Sequence, residues 1–70
     1  MIVFKLGNIL QHISMSQTHF AKLTDIRPNT INDIVNNRTK RIELSTLQRI
    51  MSVLYLYGFE INDLMEYIND

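Results

Sequence analysis

Cysteine is absent from this 70-residue chain, which excludes a disulfide framework and a thiolate zinc site. A domain this small buries only about 60% of the surface its unfolded chain exposes. It has little room for an elaborate active site, and its stability must come from helix packing or self-association. Glycine occurs twice and proline once, while 46% of residues are hydrophobic and 20% charged, a balance that belongs to a folded chain rather than a disordered tail. No long apolar run is present. Val53 to Phe59 is broken by Gly58 and falls far short of the roughly 20 residues of a membrane helix. At the N-terminus, Met-Ile-Val-Phe meets Lys5, Gly7 and Asn8 before a signal-peptide core can form. The expectation is a soluble, cytoplasmic protein with no membrane partner.

An excess of either charge is also missing: seven basic side chains face seven acidic ones. Nucleic-acid-binding domains usually carry a basic excess, so the balance counts against such a partner at first sight. The distribution reverses that. Residues 1 to 41 hold Lys5, Lys22, Arg27, Arg38, Lys40 and Arg41 against Asp25 and Asp33, a net of +4. Residues 42 to 70 hold Arg49 against Glu43, Glu60, Asp63, Glu66 and Asp70, a net of −4. Such a dipole can turn one face toward a polyanion, although solvated charges can also segregate by coincidence.

What is present reads as a succession of short helices. Ile2-Val3-Phe4-Lys5-Leu6 is β-branched and aromatic, and predicts a short extended arm before Gly7-Asn8. Ile9, Leu10 and Ile13 then recur at helical spacing, with Asn8 or a neighbour as cap and an end near Ser14. Ser16 caps a second helix running to about Thr24, with Phe20, Ala21 and Leu23 or Thr24 inward, and Asp25 where the chain turns. Pro28 starts a third, because a residue with fixed φ and no amide hydrogen fits the first helical position best. Its inward stripe is Ile31, Ile34 and Val35. Its outer face, Asn29, Thr30, Asn32, Asp33, Asn36 and Asn37, has low helix propensity and is a poor choice if the only aim is a stable solvated helix. A polar and basic loop from Asn36 to Arg41 follows. Ile42-Glu43-Leu44 alternates like a strand able to pair with Ile2-Val3-Phe4. Ser45 is a good cap for a fourth helix with Leu47, Ile50, Met51 and Leu54 inward and Gly58 as its stop, and Ile61 to Ile68 carries the spacing of a last helix.

Two short helices joined by a tight turn, the second opening on proline and ending in a basic loop, describe a helix-turn-helix at about residues 16–36. Ala21 stands ten residues before Ile31, where a small side chain lets two helices approach while Phe20, Ile26, Ile31 and Ile34 fill the wedge. The run Ser16-Gln17-x-x-Phe20-Ala21-x-x-Thr24-x-Ile26-x-Pro28-x-Thr30-Ile31-x-x-Ile34-x-Asn36 resembles the lambda-repressor-like family of phage repressors, Cro proteins and Xre-like regulators. The likeness continues through Leu44-Ser45-x-Leu47-x-x-Ile50 and Ile61-Asn62-Asp63-Leu64, over nearly the whole chain. It implies an all-α, compact five-helix domain spanning 1–70 with a short N-terminal arm. Two positions depart from the family pattern: Asp25 stands where glycine is common in the turn, and Arg27 where a serine or threonine usually caps the recognition helix.

The resemblance also implies roles. Gln17 would touch a phosphate, and Pro28, Asn29, Asn32 and Asp33 would reach base edges in the major groove. The chemistry is compatible, since asparagine can pair with adenine, aspartate can accept from cytosine and proline can lie on a thymine methyl. Asp33 leaves two readings open, base contact or solvated surface acid. Thr30, Asn36, Asn37, Arg38, Lys40 and Arg41 would hold the backbone, with Arg41 also able to enter the minor groove and Arg27 able to bind phosphate in place of capping.

His12 and His19 have no cysteine beside them and fall on different helices, so no metal or other cofactor is expected, and no nucleophile motif points to an enzyme. The implied function is a sequence-specific double-stranded DNA-binding transcriptional regulator, a phage-type repressor or Cro-like switch protein. The rival is a protein-interaction module of the same fold, an antirepressor or accessory factor that binds a regulatory protein and not DNA. Family members commonly act as dimers on paired half-sites, and with no second domain here a homodimer surface would be built from Tyr55, Tyr57, Phe59, Tyr67 and Ile68. Those aromatics could equally complete the core.

Overall fold

The computed structural model describes residues 1–69. Its order is β1 (Ile2–Phe4), α1 (Leu6–His12), α2 (Gln17–Thr24), α3 (Pro28–Val35), α4 (Leu44–Leu54), one 3₁₀ turn (Tyr55–Tyr57), α5 (Ile61–Leu64) and β2 (Met65–Tyr67). Asp70, counted among the acids above, lies outside the described residues. Five helices surround one apolar cluster in which Leu6, Phe20, Ile31, Ile34, Ile50, Leu54 and Leu64 are fully buried. Each such side chain contributes about 1.5–3 kcal/mol through removal from water.

The helix-turn-helix follows from local chemistry. Ser16 caps α2 by accepting the His19 N–H at 3.0 Å, and Pro28 occupies the first turn of α3 behind an Arg27 whose side chain makes no capping bond. Phe20, Ala21, Ile26, Ile31 and Ile34 are all buried in the wedge between the two helices. At the end of α2 the choice falls on Thr24: it is buried and its hydroxyl donates to the Phe20 carbonyl at 2.8 Å, while Leu23 stays half exposed. Burial without an orphaned hydroxyl is what lets a polar residue take the inner position.

Four helical segments end in the same way, on residues with positive φ: Ser14, Asp25, Asn37 and Gly58. In each, the next residue's N–H reaches back to the last turn, with Met15 to Leu10, Ile26 to Ala21, Arg38 to Asp33 and Phe59 to Leu54. This is the Schellman arrangement, which satisfies otherwise orphaned carbonyls. Asp25, the departure in the turn, takes φ 56° and ψ 39°, so the usual geometry is kept at a cost in steric comfort. Space is tight at Gly7: a Cβ there would lie 3.2 Å from Val35 Cγ1, so α1 sits close against α3.

Several sequence expectations need correction. Ile61 to Ile68 is not one helix. A reciprocal capping box between Glu60 and Asp63 starts α5, but the helix stops after Leu64 and Met65–Tyr67 becomes β2. It pairs antiparallel with β1 in the register Ile2↔Tyr67, Val3↔Glu66 and Phe4↔Met65. Lys5 N–H to Leu64 O and Ile68 N–H to Met1 O, both 2.7 Å, extend the ladder. The arm would otherwise leave its backbone groups unpaired, and that long-range demand overrides a helical period in a short segment. Ile42-Glu43-Leu44 therefore does not pair with β1. Outward from β2, Phe4 is already bonded by the Asn37 carboxamide, while Ile42 packs on the core and Leu44 opens α4.

Two helix starts shift as well. Lys5, not Asn8, precedes α1, because the strand passes directly into the helix and Leu6 is buried. Glu43, not Ser45, occupies the cap position of α4, with Leu47 N–H closing the first turn on Glu43 O at 3.0 Å. The earlier start leaves the inward stripe unchanged, with Ile50 and Leu54 buried and Leu47 and Met51 packed against the cluster.

Candidate nucleic-acid interface

The polar side of α3 and the loop after it carry most of the expected contact residues, and they are not independent of one another. Asn32, half buried near the middle of α3, donates from Nδ2 to Gln17 Oε1 at the start of α2, 3.1 Å away. Its Oδ1 accepts from Arg38 Nη2 at 2.6 Å. The same guanidinium donates to Asp33 Oδ1 from Nε at 3.2 Å and from Nη2 at 3.1 Å. Gln17, Asn32, Arg38 and Asp33 thus form one connected group spanning both helices of the motif.

Other residues have separate surroundings. Asn29 at the start of α3 is exposed, Thr30 is partly covered, and Arg27 and Pro28 are exposed ahead of them. Asn36 turns its Nδ2 back onto the Asn32 carbonyl at 2.8 Å. Asn37 faces the opposite way. Its Oδ1 accepts the Phe4 N–H at 2.6 Å and its Nδ2 donates to the Phe4 carbonyl at 3.0 Å, tying the end of α3 to the arm. Both ends of that carboxamide engage the arm, which gives the side chain a role in the fold. Lys40 and Arg41 are exposed, and among the described residues neither they nor Arg27 form an ion pair. The Arg38–Asp33 pair is the exception, and it neutralises the acid on α3.

This is an exposed, hydrogen-bonding helix face with unpaired cations flanking it, mounted on a two-helix wedge. A profile of the Cro/C1-type HTH DNA-binding domain matches residues 5–70. The chain belongs to that family. No curated protein and no solved structure matches it. The match covers every helix of the Cro/C1-type domain described above and both partners of the helix-turn-helix.

Within this Cro/C1-type domain the sequence located the residues of the polar face but not their bonds. Gln17 and Asn32 are fifteen positions apart, a contact that follows only from the crossing of α2 and α3. Arg38 reaching back to Asp33 had a local signal, since a residue fixed after a helix by a Schellman turn lies over the last turn. His12 and His19 remain apart in role: His12 packs edge-on against Phe59 at 6.4 Å, and the His19 N–H belongs to the α2 cap. No helix among the described residues is long and apolar enough to cross a membrane.

Proposed function

We propose that the protein is a sequence-specific regulator of transcription that occupies a double-stranded operator and blocks polymerase, as a phage-type repressor or Cro-like switch protein does. The observation that carries the reading is the outer face of α3, where the exposed Asn29 and the positioned Asn32 and Asp33 offer donors and acceptors to base edges. Arg27, Lys40 and Arg41, unpaired among the described residues, supply the backbone clamp, and Gln17 stands at the start of α2 where a phosphate would lie.

The protein works as a homodimer, at least on DNA, reading paired half-sites. Tyr55, Tyr57, Tyr67 and Ile68 are exposed, which supports their use in a subunit contact, with the half-buried Phe59 anchoring the patch to the core. No catalytic step and no cofactor enter this mechanism, and such a regulator acts in the cytoplasm.

Selection of bound sequences from a random duplex library tests the reading. On the selected site, replacing Lys40 or Arg41 by alanine should weaken binding to all duplexes and flatten the salt dependence by about 0.9 log units per log salt for each phosphate no longer neutralised. Replacing Asn29 by alanine should cost roughly 1–3 kcal/mol on the preferred site alone. If no duplex is enriched and the folded protein is instead recovered with a regulatory protein partner, the protein-interaction reading replaces this one.

A further inference from the structure

Arg38 stands in a loop of cations, where its simplest role is to hold a phosphate. The structure points elsewhere. Its backbone N–H donates to the Asp33 carbonyl at 2.8 Å, which lays the residue over the last turn of α3. At the equivalent positions of the other helical segments the returning residues are Met15, Ile26 and Phe59, whose partners Leu10, Ala21 and Leu54 are buried apolar residues. Only here is the returning side chain a guanidinium directed onto polar groups of the helix face.

The geometry of those groups is specific. Arg38 uses Nη2 on both Asn32 Oδ1 and Asp33 Oδ1, and Nε on the same Asp33 oxygen. Asn32 is held on its other end by Gln17. A carboxamide has two donor hydrogens and two acceptor lone pairs. Arg38 and Gln17 occupy one of each, leaving one donor and one acceptor for a base. Asp33 keeps Oδ2 free in the same way. The clamp fixes both side chains without exhausting them.

An ion pair as exposed as this one, with 57% and 50% of the two side chains accessible, adds little to stability. What it does contribute is order: a short polar side chain frozen before binding loses less freedom when it meets its base. We propose that Arg38 is a positioning residue of the base-reading face, holding Asn32 and Asp33 in the conformation that reads sequence. This rests on the DNA-binding reading above and adds a determinant of specificity to it.

The test compares the full chain with Arg38→Ala and Arg38→Lys, each checked by circular dichroism. In free protein, nuclear magnetic resonance of the Asn32 side-chain amide should show shifted signals in both variants. On the duplex selected by the wild type, the ratio of specific to non-specific affinity should fall roughly ten-fold in both, with the salt slope close to wild type. Lysine should not rescue, because a point charge cannot replace a planar fork. Two results overturn the proposal while leaving the DNA-binding reading intact. One is an equal weakening on all duplexes with the slope reduced by about 0.9, rescued by lysine, which makes Arg38 a phosphate ligand. The other is a variant with unchanged Asn32 signals and unchanged specificity. A wild type that selects no duplex removes the DNA-binding reading, and the proposal with it.

Discussion

Replacing Asn37 by alanine tests how the arm is held to the end of α3. The substitution removes two hydrogen bonds, the 2.6 Å bond from the Phe4 N–H and the 3.0 Å bond to the Phe4 carbonyl, both partly buried. It also places alanine at φ 56°, a conformation asparagine tolerates better. Each backbone group left without a partner costs about 1–3 kcal/mol, toward the lower end here because water can partly replace the missing bonds. Together with the left-handed backbone, the expected destabilisation is about 2–4 kcal/mol. For a chain of this length, total stability is on the order of 4–10 kcal/mol, so the change is large. It corresponds to a fall in Tm of roughly 10–25 °C.

Urea and thermal unfolding followed by circular dichroism would measure it. Asn37→Gly separates the two causes, since glycine accepts the backbone angle but makes neither bond, and should recover about 1 kcal/mol. Asn37→Asp should gain nothing over alanine, because a second carboxylate oxygen would face the Phe4 carbonyl. Hydrogen exchange at the Phe4 amide should accelerate in the alanine and glycine variants, which lose its acceptor. Alanine and glycine variants both within about 0.5 kcal/mol of wild type would refute the assignment and return Asn37 to the loop as an ordinary surface residue.

Asp25→Gly should raise stability by about 0.5–1 kcal/mol in the same unfolding assay, because Asp25 adopts φ 56° and its carbonyl bond from Arg49 at 3.0 Å does not depend on the side chain. A decrease would mean that the carboxylate has a role the backbone does not explain. Tyr67→Arg should abolish self-association measured by sedimentation and weaken binding to a two-half-site duplex more than to a single half-site. A wild type that stays monomeric at high micromolar concentration with and without DNA would exclude the surface at Tyr55, Tyr57, Tyr67 and Ile68.

Legibility in the sequence tracked the range of the interaction responsible. The α2–turn–α3 unit was readable because a serine cap, a proline at a helix start and apolar spacing are set within a few residues. The end of the chain was not. Ile61, Leu64, Met65 and Ile68 have a helical period, and nothing in it reveals that β1 lacks a partner sixty residues earlier. The same blindness sent Ile42-Glu43-Leu44 to the arm, whose outer side is taken by Asn37. On the polar face, the residue types were visible as an excess of asparagine on an amphipathic helix. Their mutual bonds were not, because Gln17 meets Asn32 through helix crossing, and Arg38 meets it through a turn whose left-handed residue carries no glycine.

Zero net charge does not conflict with a polyanionic partner once the pairing is considered. Of the cations between Arg27 and Arg41, Arg38 is committed to Asp33, and that commitment removes the one negative charge of α3 from the field a phosphate would meet. Arg27, Lys40 and Arg41, exposed and without an ion pair among the described residues, are the cations proposed to act on the backbone. Four of the described acids beyond residue 42, Glu43, Glu60, Asp63 and Glu66, belong to the cap of α4, the start of α5 and β2, not to the motif. Neutralising about three phosphates per protomer would give a salt slope near −2.7, and about twice that in the proposed dimer, which is modest for a DNA-binding protein. An attraction of that size would bring the protein to DNA without holding it firmly to arbitrary sequence. On the proposed reading, discrimination would fall to Asn32 and Asp33, both held by Arg38, with the exposed Asn29 beside them. A neutral chain with a positioned polar face is therefore suited to a reader whose affinity comes more from the right bases than from charge.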